Sequence, residues 1–485
     1  MWFIMVQTQP TFSSVDLTLI ALYFIAIVVL GIYHYRSKSG DEDFLIAGRR
    51  LSLGAFVATL VSTFYGGILG VGEFTYRYGL VSWFTQGLFY YIFAVVYAYL
   101  LAPKIRRNKQ YTLPDQLYQQ YDQKTGLLGA LFTFILVTPA PYILMSGTML
   151  HIIFGWSLSK AILLGAIFST IYVLFGGLRS VIRTDLLQFA LMFIGFGLVL
   201  PFAWSKLGSL PSILSQLPAG HTTIIGKLSM QQVVAWGFIA MWTMVSPSFY
   251  QRCSASKSEA VAKNGILISI FFWFLFDMMT LAAGLYARVA LPHIDPVMAY
   301  PLLGQLVLPV FFKGLFFIGM LATIMSTLDS LAFLSAITLG RDVLWRLRHK
   351  TATERDLTLY TRIGLLISAV LAVVIAIGFK SVIDIWYVLG SLAIPILFLP
   401  LFTSFFPGAQ LPARKTFLQM ILTAFISLGW LSAGYFHSRN GSPSYPLQIE
   451  PMYPGLIVSI FWWGIIKTKR LRRGNLFWKS DEEGK

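Results

Sequence analysis

Residues 321–335 read LATIMSTLDSLAFLS, a run that places Thr323, Ser326, Thr327, Asp329 and Ser330 in otherwise apolar chain. On a helix turning about 100° per residue, with Ser326 at 0°, Ser330 falls near 40°, Thr323 near 60°, Thr327 near 100° and Asp329 near −60°. Five oxygen-bearing side chains therefore share less than half of the helix circumference. Serine and threonine often bond back to their own helix, which accounts for one or two of them. A one-sided cluster of mostly neutral oxygens is the chemistry of a hard cation such as Na⁺, held weakly enough to be released.

The elements that must position these oxygens are membrane helices. Of 485 residues, 56% are hydrophobic and 12% charged, with a mean hydropathy of +0.71; soluble domains carry about 25% charged residues. Apolar runs of about 20 residues predict thirteen spans, near 15–35, 52–76, 80–102, 127–150, 158–175, 181–204, 231–250, 264–287, 313–339, 359–379, 382–402, 416–435 and 450–467. Alternating the hydrophilic loops puts 29 of the 37 Lys and Arg on one side and 8 on the other. The positive-inside rule makes the first side cytoplasmic, with the N-terminus outside, the C-terminus inside and the chain in the plasma membrane. The net charge of +17 is thus a topology signal, helped by anionic membrane lipids. No basic domain interleaved with aromatics argues for nucleic acid.

Cys253 is the single cysteine, so no intrachain disulfide or cysteine-held zinc is expected. The histidines show no HExxH spacing. The first span lacks a basic n-region and a cleavage site, and reads as a retained helix. With no soluble domain expected, function must sit among the helices.

Two spans are interrupted. The second, ATLVSTFYGGILGVGEF, carries Gly66, Gly67, Gly70 and Gly72; the seventh, FIAMWTMVSPSFYQR, carries Thr243, Ser246 and Pro247. Glycine weakens a helix and proline removes a donor, and broken backbone at membrane depth survives only inside protein or at a watery cavity. Glycines for close helix packing are the plainer explanation of one such span. Two breaks opening two blocks of five helices, 52–204 and 231–402, point instead to the binding site of a transporter with inverted repeats. Three acids also lie within spans. Glu73 stands four residues before Arg77, the spacing of a helical ion pair, and Asp277 is expected to make an interhelical contact. Asp185, with no evident partner on its own inner turn, is expected to face the oxygens of Ser326 and Thr327 with a bound cation as its companion.

FGGLRSVIRTDLLQ, YQRCSASKSEAVAKNG, FLIAGRRLS and IMSTLDS together resemble the sodium:solute symporter family over nearly the whole chain. The resemblance implies an all-α, LeuT-type membrane fold with about 13 helices. Its parts would be an extra N-terminal helix and loop (1–50), a first repeat (51–206), an inverted second repeat (229–402) and two C-terminal helices with a basic tail (414–485). It also implies a sodium site made of the carbonyls of Leu60 and Thr63 at the first break, the Thr323 carbonyl and the Ser326 and Thr327 hydroxyls. Asp185 matches the family's aspartate beside that site. The chain departs from several relatives at Ser62, where they place an acid or amide.

The solute is expected between the breaks, at Ser62, Phe64, Tyr65, Gly66, Gly67, Trp242 and Ser246. Neither break carries a charge, which favours a small neutral or zwitterionic organic solute and leaves sugar, amino acid and vitamin open. A channel would need polar groups along a path, and a membrane enzyme would need paired catalytic groups; neither pattern is present. The reading is Na⁺-coupled uptake by alternating access. A proton-coupled or uniporting relative, or a sodium or solute sensor on the same fold, stands as the alternative.

Overall fold

The computed structural model describes residues 9–32, 41–348, 354–379, 382–438 and 443–482. Parts of the loops assigned to the cytoplasmic side, 33–40 and 349–353, lie outside the described residues. The described chain is almost wholly helical. Its main helices begin with α1 (Ser14–Ile32), α2 (Leu53–Phe64), α3 (Ile68–Tyr78), α4 (Phe89–Leu100), α5 (Gln123–Leu136), α6 (Ala140–Phe154) and α7 (Leu158–Leu207). After an extramembrane crossing come α8 (Met230–Ile239), α9 (Pro247–Ala255), α10 (Glu259–Ala290) and α11 (Phe312–Ile337). The chain closes with α12 (Glu354–Gly378), α13 (Val382–Ser404), α14 (Ala413–Phe436) and α15 (Met452–Glu482).

Among the described residues, ten helices are long and apolar enough to cross a membrane, or eleven if the bent pair α2–α3 counts as one span. Thirteen spans were expected. The expected span 158–175 contains only a shorter apolar stretch, Leu158–Ile171, at the start of α7. The last, at 450–467, begins a helix whose basic continuation lowers its mean hydropathy, and it does not meet the same measure.

Both expected breaks are present. The α2 and α3 axes differ by 57°, with Tyr65 ending α2 and Gly67 opening α3. A Cβ on Gly66 would overlap Thr327, and one on Gly67 would overlap the Trp386 ring, so only hydrogen fits at either place. Between α8 and α9 the backbone tightens into a 3₁₀ turn, Ala240–Val245, and then extends at Ser246 (φ −74°, ψ 117°). Pro247 opens α9 at a position whose N–H would be unpaired in any case. A third break, which the sequence reading had passed as an uninterrupted span, separates α5 from α6 at Val137–Pro139, where Pro139 and Pro141 withhold donors.

α11 is the interior helix, nearly all of its residues buried, whereas most of α1 is exposed or half-buried. α7 bends at Gly177 (φ 60°). Loops assigned to one side also meet in space. Arg49 donates to the Ser254 carbonyl at 3.2 Å, Arg106 to the Ser256 carbonyl at 2.6 Å, and Arg107 pairs with Glu259 at 2.8 Å. On the opposite side, the Phe311 and Gly314 amides each donate to Asp16 at 3.0 Å.

Asp115, in a short helix Leu113–Gln120 capped by Thr112, ties the first group of loops to the chain beyond α11. It accepts from Arg341 at 2.9 Å and also pairs with Arg346. Burial alone would raise its carboxyl, but the two guanidiniums outweigh that and hold it below its ordinary 3.8. Asp115→Asn should cost about 3 kcal/mol of stability, the low end for breaking a buried pair, because Asp342 stays beside Arg341. A folded-state pKa below the unfolded one contributes stability that is complete above the unfolded value and fades beneath it. The gap in unfolding free energy between wild type and Asp115→Asn should thus be constant above about pH 4 and close as pH falls below 3.8. An unchanging gap down to pH 2 would show that the pairing is not electrostatic.

Candidate functional site

The oxygens of α11 meet the first break. The Thr327 hydroxyl donates to the Thr63 carbonyl at 2.7 Å, with the Ser62 carbonyl at 3.4 Å. The Thr63 and Ser330 hydroxyls lie 3.0 Å apart. From α7, Asp185 accepts from the Ser326 hydroxyl at 2.6 Å and from the Thr59 hydroxyl. Leu60, Thr63, Asp185, Thr323, Ser326 and Thr327 are all buried. The Thr323 hydroxyl donates back to the Gly319 carbonyl at 2.7 Å. Asp329 accepts from Ser169 on α7 at 3.1 Å.

Asp185, expected to have a bound cation as its companion, meets a cation of the protein itself. Arg252 of α9, counted among the cytoplasmic loop charges, is fully buried, and its guanidinium lies 3.7 Å from Asp185. It donates to the Ser330 hydroxyl at 2.7 Å, to the Thr63 hydroxyl at 3.0 Å and to the Thr59 hydroxyl at 3.3 Å. A fixed organic cation thus shares the oxygen cluster. Local sequence gave no signal for it, because a hydrophilic run after a span reads as loop; helix α9 carries it inward.

Beside the cluster opens a cavity of about 1070 Å³, its mouth included. Of the predicted residues, Leu60, Thr63, Phe64, Tyr65, Gly67, Trp242, Ser246 and Thr327 line it. Ser62 does not; its hydroxyl bonds back to the Ala58 carbonyl at 2.8 Å. Gly66 lies instead against Thr327. The sequence reading did not assign Gln86, Tyr90, Tyr142, Trp236, Thr243, Phe249, Asp277 and Trp386 to the solute site, and they line the cavity too. Aromatics are too common in this chain for any one to stand out. Phe64 packs on Trp273 at 4.6 Å between centroids and on Tyr90 at 5.5 Å. Asp277 makes the expected interhelical contact, accepting from the Tyr91 hydroxyl of α4, but it also reaches the cavity. Glu73 and Arg77 form the expected ion pair at 2.8 Å.

Residues 44–408 match the sodium:solute symporter family. The chain belongs to that family. It is a sodium-coupled solute transporter and not an enzyme. Its similarity extends to the high-affinity choline transporter 1 of Drosophila melanogaster, 26% identical over 78% of this chain and 65% of the fly protein's length. The osmoregulated proline transporter OpuE of Bacillus subtilis is 25% identical over 91% of this chain and 94% of its own. A solved Na⁺-coupled sialic acid symporter, substrate-bound and outward-open, superposes with a TM-score of 0.78 at 15% identity, over 94% of this chain and 98% of that one. The symporter therefore has the LeuT-type fold.

Arg252→Gln leaves the symporter's Asp185 buried without its cation, and breaking a buried pair costs about 3–5 kcal/mol. Unfolding of detergent-solubilised protein in sodium-free buffer should show that loss, and a smaller one for Arg252→Lys, which keeps charge but not the planar fork. Wild-type stability in Arg252→Gln would show that the pairing contributes nothing.

Proposed function

We propose that the symporter binds Na⁺ where α11 meets the break between α2 and α3, and that this ion drives uptake of a small organic solute held in the adjoining cavity. The Leu60, Thr63 and Thr323 carbonyls and the Ser326 and Thr327 hydroxyls would take the ion, with Asp185 supplying negative charge. One observation carries the reading: Leu60, Thr63 and Thr327 belong both to this oxygen set and to the cavity wall, and the Thr327 hydroxyl already sits on the Thr63 carbonyl across the break. Ion and solute that share walls change each other's affinity by equal factors. The two blocks 51–206 and 229–402 would be the inverted repeats that rock around the site. The basic loops support a plasma-membrane orientation with the C-terminus cytoplasmic.

Similarity to carriers of choline, proline, glucose and myo-inositol supports a small organic solute. The cavity wall carries no Lys, Arg or His, so a solute anion would have no fixed counter-charge there, which favours a neutral, zwitterionic or positively charged solute.

One Na⁺ entering with a neutral solute gains about 2.3 kcal/mol per 100 mV, enough for roughly fifty-fold accumulation. In proteoliposomes, uptake should collapse when potassium replaces sodium; uptake that persists unchanged would sink the reading. Ser326→Ala and Thr327→Ala each remove one oxygen contact, worth about 1 kcal/mol. Both should raise the sodium concentration for half-maximal uptake several-fold. Asp185→Asn should damage sodium dependence more than solute affinity. Wild-type sodium dependence in all three would place the ion elsewhere.

A further inference from the structure

Asp277 is the one charged side chain on the cavity wall. Three other buried acids of the interior face cations: Glu73 meets Arg77 at 2.8 Å, Asp16 meets Lys313 at 3.8 Å, and Asp185 meets Arg252 at 3.7 Å. Among the described residues, no Lys, Arg or His lies within 4 Å of the Asp277 carboxylate. Its partners are the Tyr91 hydroxyl, which donates to it, and the Tyr65 hydroxyl, phenols that solvate a carboxylate without neutralising it. A carboxylate within a membrane span is costly unless something positive accompanies it.

The surroundings suit a positive guest. Phe64, Tyr90, Trp242 and Trp386 line the same cavity, and ring faces attract desolvated cations, quaternary ammonium above all. A polyol in this space would lay several hydroxyls against rings that cannot pair them. Two donors on the wall, the Gln86 amide nitrogen and the Thr243 hydroxyl, are buried and have no protein partner. They call for an acceptor elsewhere on the guest. Local backbone serves the carboxylate as well. A π-helical turn, Phe84–Leu88, precedes α4, and a Cβ on its Gly87 would lie 2.7 Å from Asp277 Oδ2. Such turns recur at functional sites.

We propose that the transported solute is a small alkylammonium compound, its cationic group on Asp277 among the aromatic faces and an oxygen acceptor on Gln86 and Thr243. Amino alcohols, betaines and secondary amino acids have this form; sugars, polyols and dicarboxylates do not. The inference rests on the cavity being the solute site, as proposed above.

The test compares ammonium compounds with carbon isosteres on the whole protein in detergent, by thermal shift and by competition. The pairs are choline with 3,3-dimethyl-1-butanol, and proline with cyclopentanecarboxylate; glucose is the neutral control. At least one ammonium member should bind ten-fold or more tightly than its isostere and than glucose. Asp277→Asn, which keeps size and polarity, should bring that ratio to within about two-fold. Equal binding within both pairs, preference for glucose, no binding of either ammonium member, or a ratio unchanged in Asp277→Asn would each overturn the proposal. The wild-type comparison decides even where the variant does not fold. Every arm is run with sodium and with potassium. An ammonium preference that survives in potassium keeps this inference and removes sodium coupling; sodium-dependent glucose binding does the reverse.

Discussion

The Thr327 hydroxyl on the Thr63 carbonyl is the contact on which the rest of the site depends. A break in a membrane helix frees carbonyls and amides that lipid cannot satisfy, each at a cost of several kcal/mol. The break between α2 and α3 is therefore tolerable only where another element brings polar atoms to it. α11 does so, and Gly66 is what lets it approach, since any side chain there would overlap Thr327. One contact thus satisfies the broken backbone, sets the distance between α2 and α11, and gathers carbonyl and hydroxyl oxygens at one depth. The same residues form part of the cavity wall, so a change at the oxygens is felt by whatever fills the cavity without any long path between them.

Charge is distributed inside this fold by pairing. Asp185 and Arg252 come from α7 and α9, distant in sequence, and meet among hydroxyls of α2 and α11. The guanidinium spreads its donors over Thr59, Thr63 and Ser330, so the cluster holds a permanent positive group beside the oxygens proposed for sodium. A fixed positive group at that distance would lower the affinity of a mobile cation held by those oxygens. Asp277 differs in that its partners are phenols and its open side is the cavity, which is why it carries the recognition chemistry rather than the structural one.

The loops at the two ends show a division of labour. On the side assigned to the cytoplasm, arginines 49, 106, 107, 341 and 346 bond to carbonyls and carboxylates of neighbouring loops. These contacts join the chain around both breaks and the end of α11 into one connected set. On the other side, Asp16 binds two amides near the start of α11, fixing the extra helix α1 against the interior one.

The sequence by itself determined the solvent of this protein, its family and the location of its weak points. Hydropathy reports lipid directly, so eleven of the expected spans match candidate spans in the structure. Glycine and proline report backbone freedom directly, so the breaks at Gly66–Gly67 and Ser246–Pro247 were legible, though the one at Val137–Pro139 was overlooked. The 100° advance of a helix likewise put the α11 oxygens on one face. What it could not determine was which distant residues those faces meet. Periodicity assigns a side chain to a face of its own helix and says nothing about the neighbour. Arg252, hydrophilic and next to a loop, therefore read as solvent-facing, and Asp277 read as an interhelical contact with no sign of a cavity beyond it. The aromatic wall was hidden by abundance. Only tertiary packing decided that a guanidinium would enter the oxygen cluster and that one carboxylate would stand open to the guest, because a charge buried in lipid takes its meaning from the groups that surround it in space.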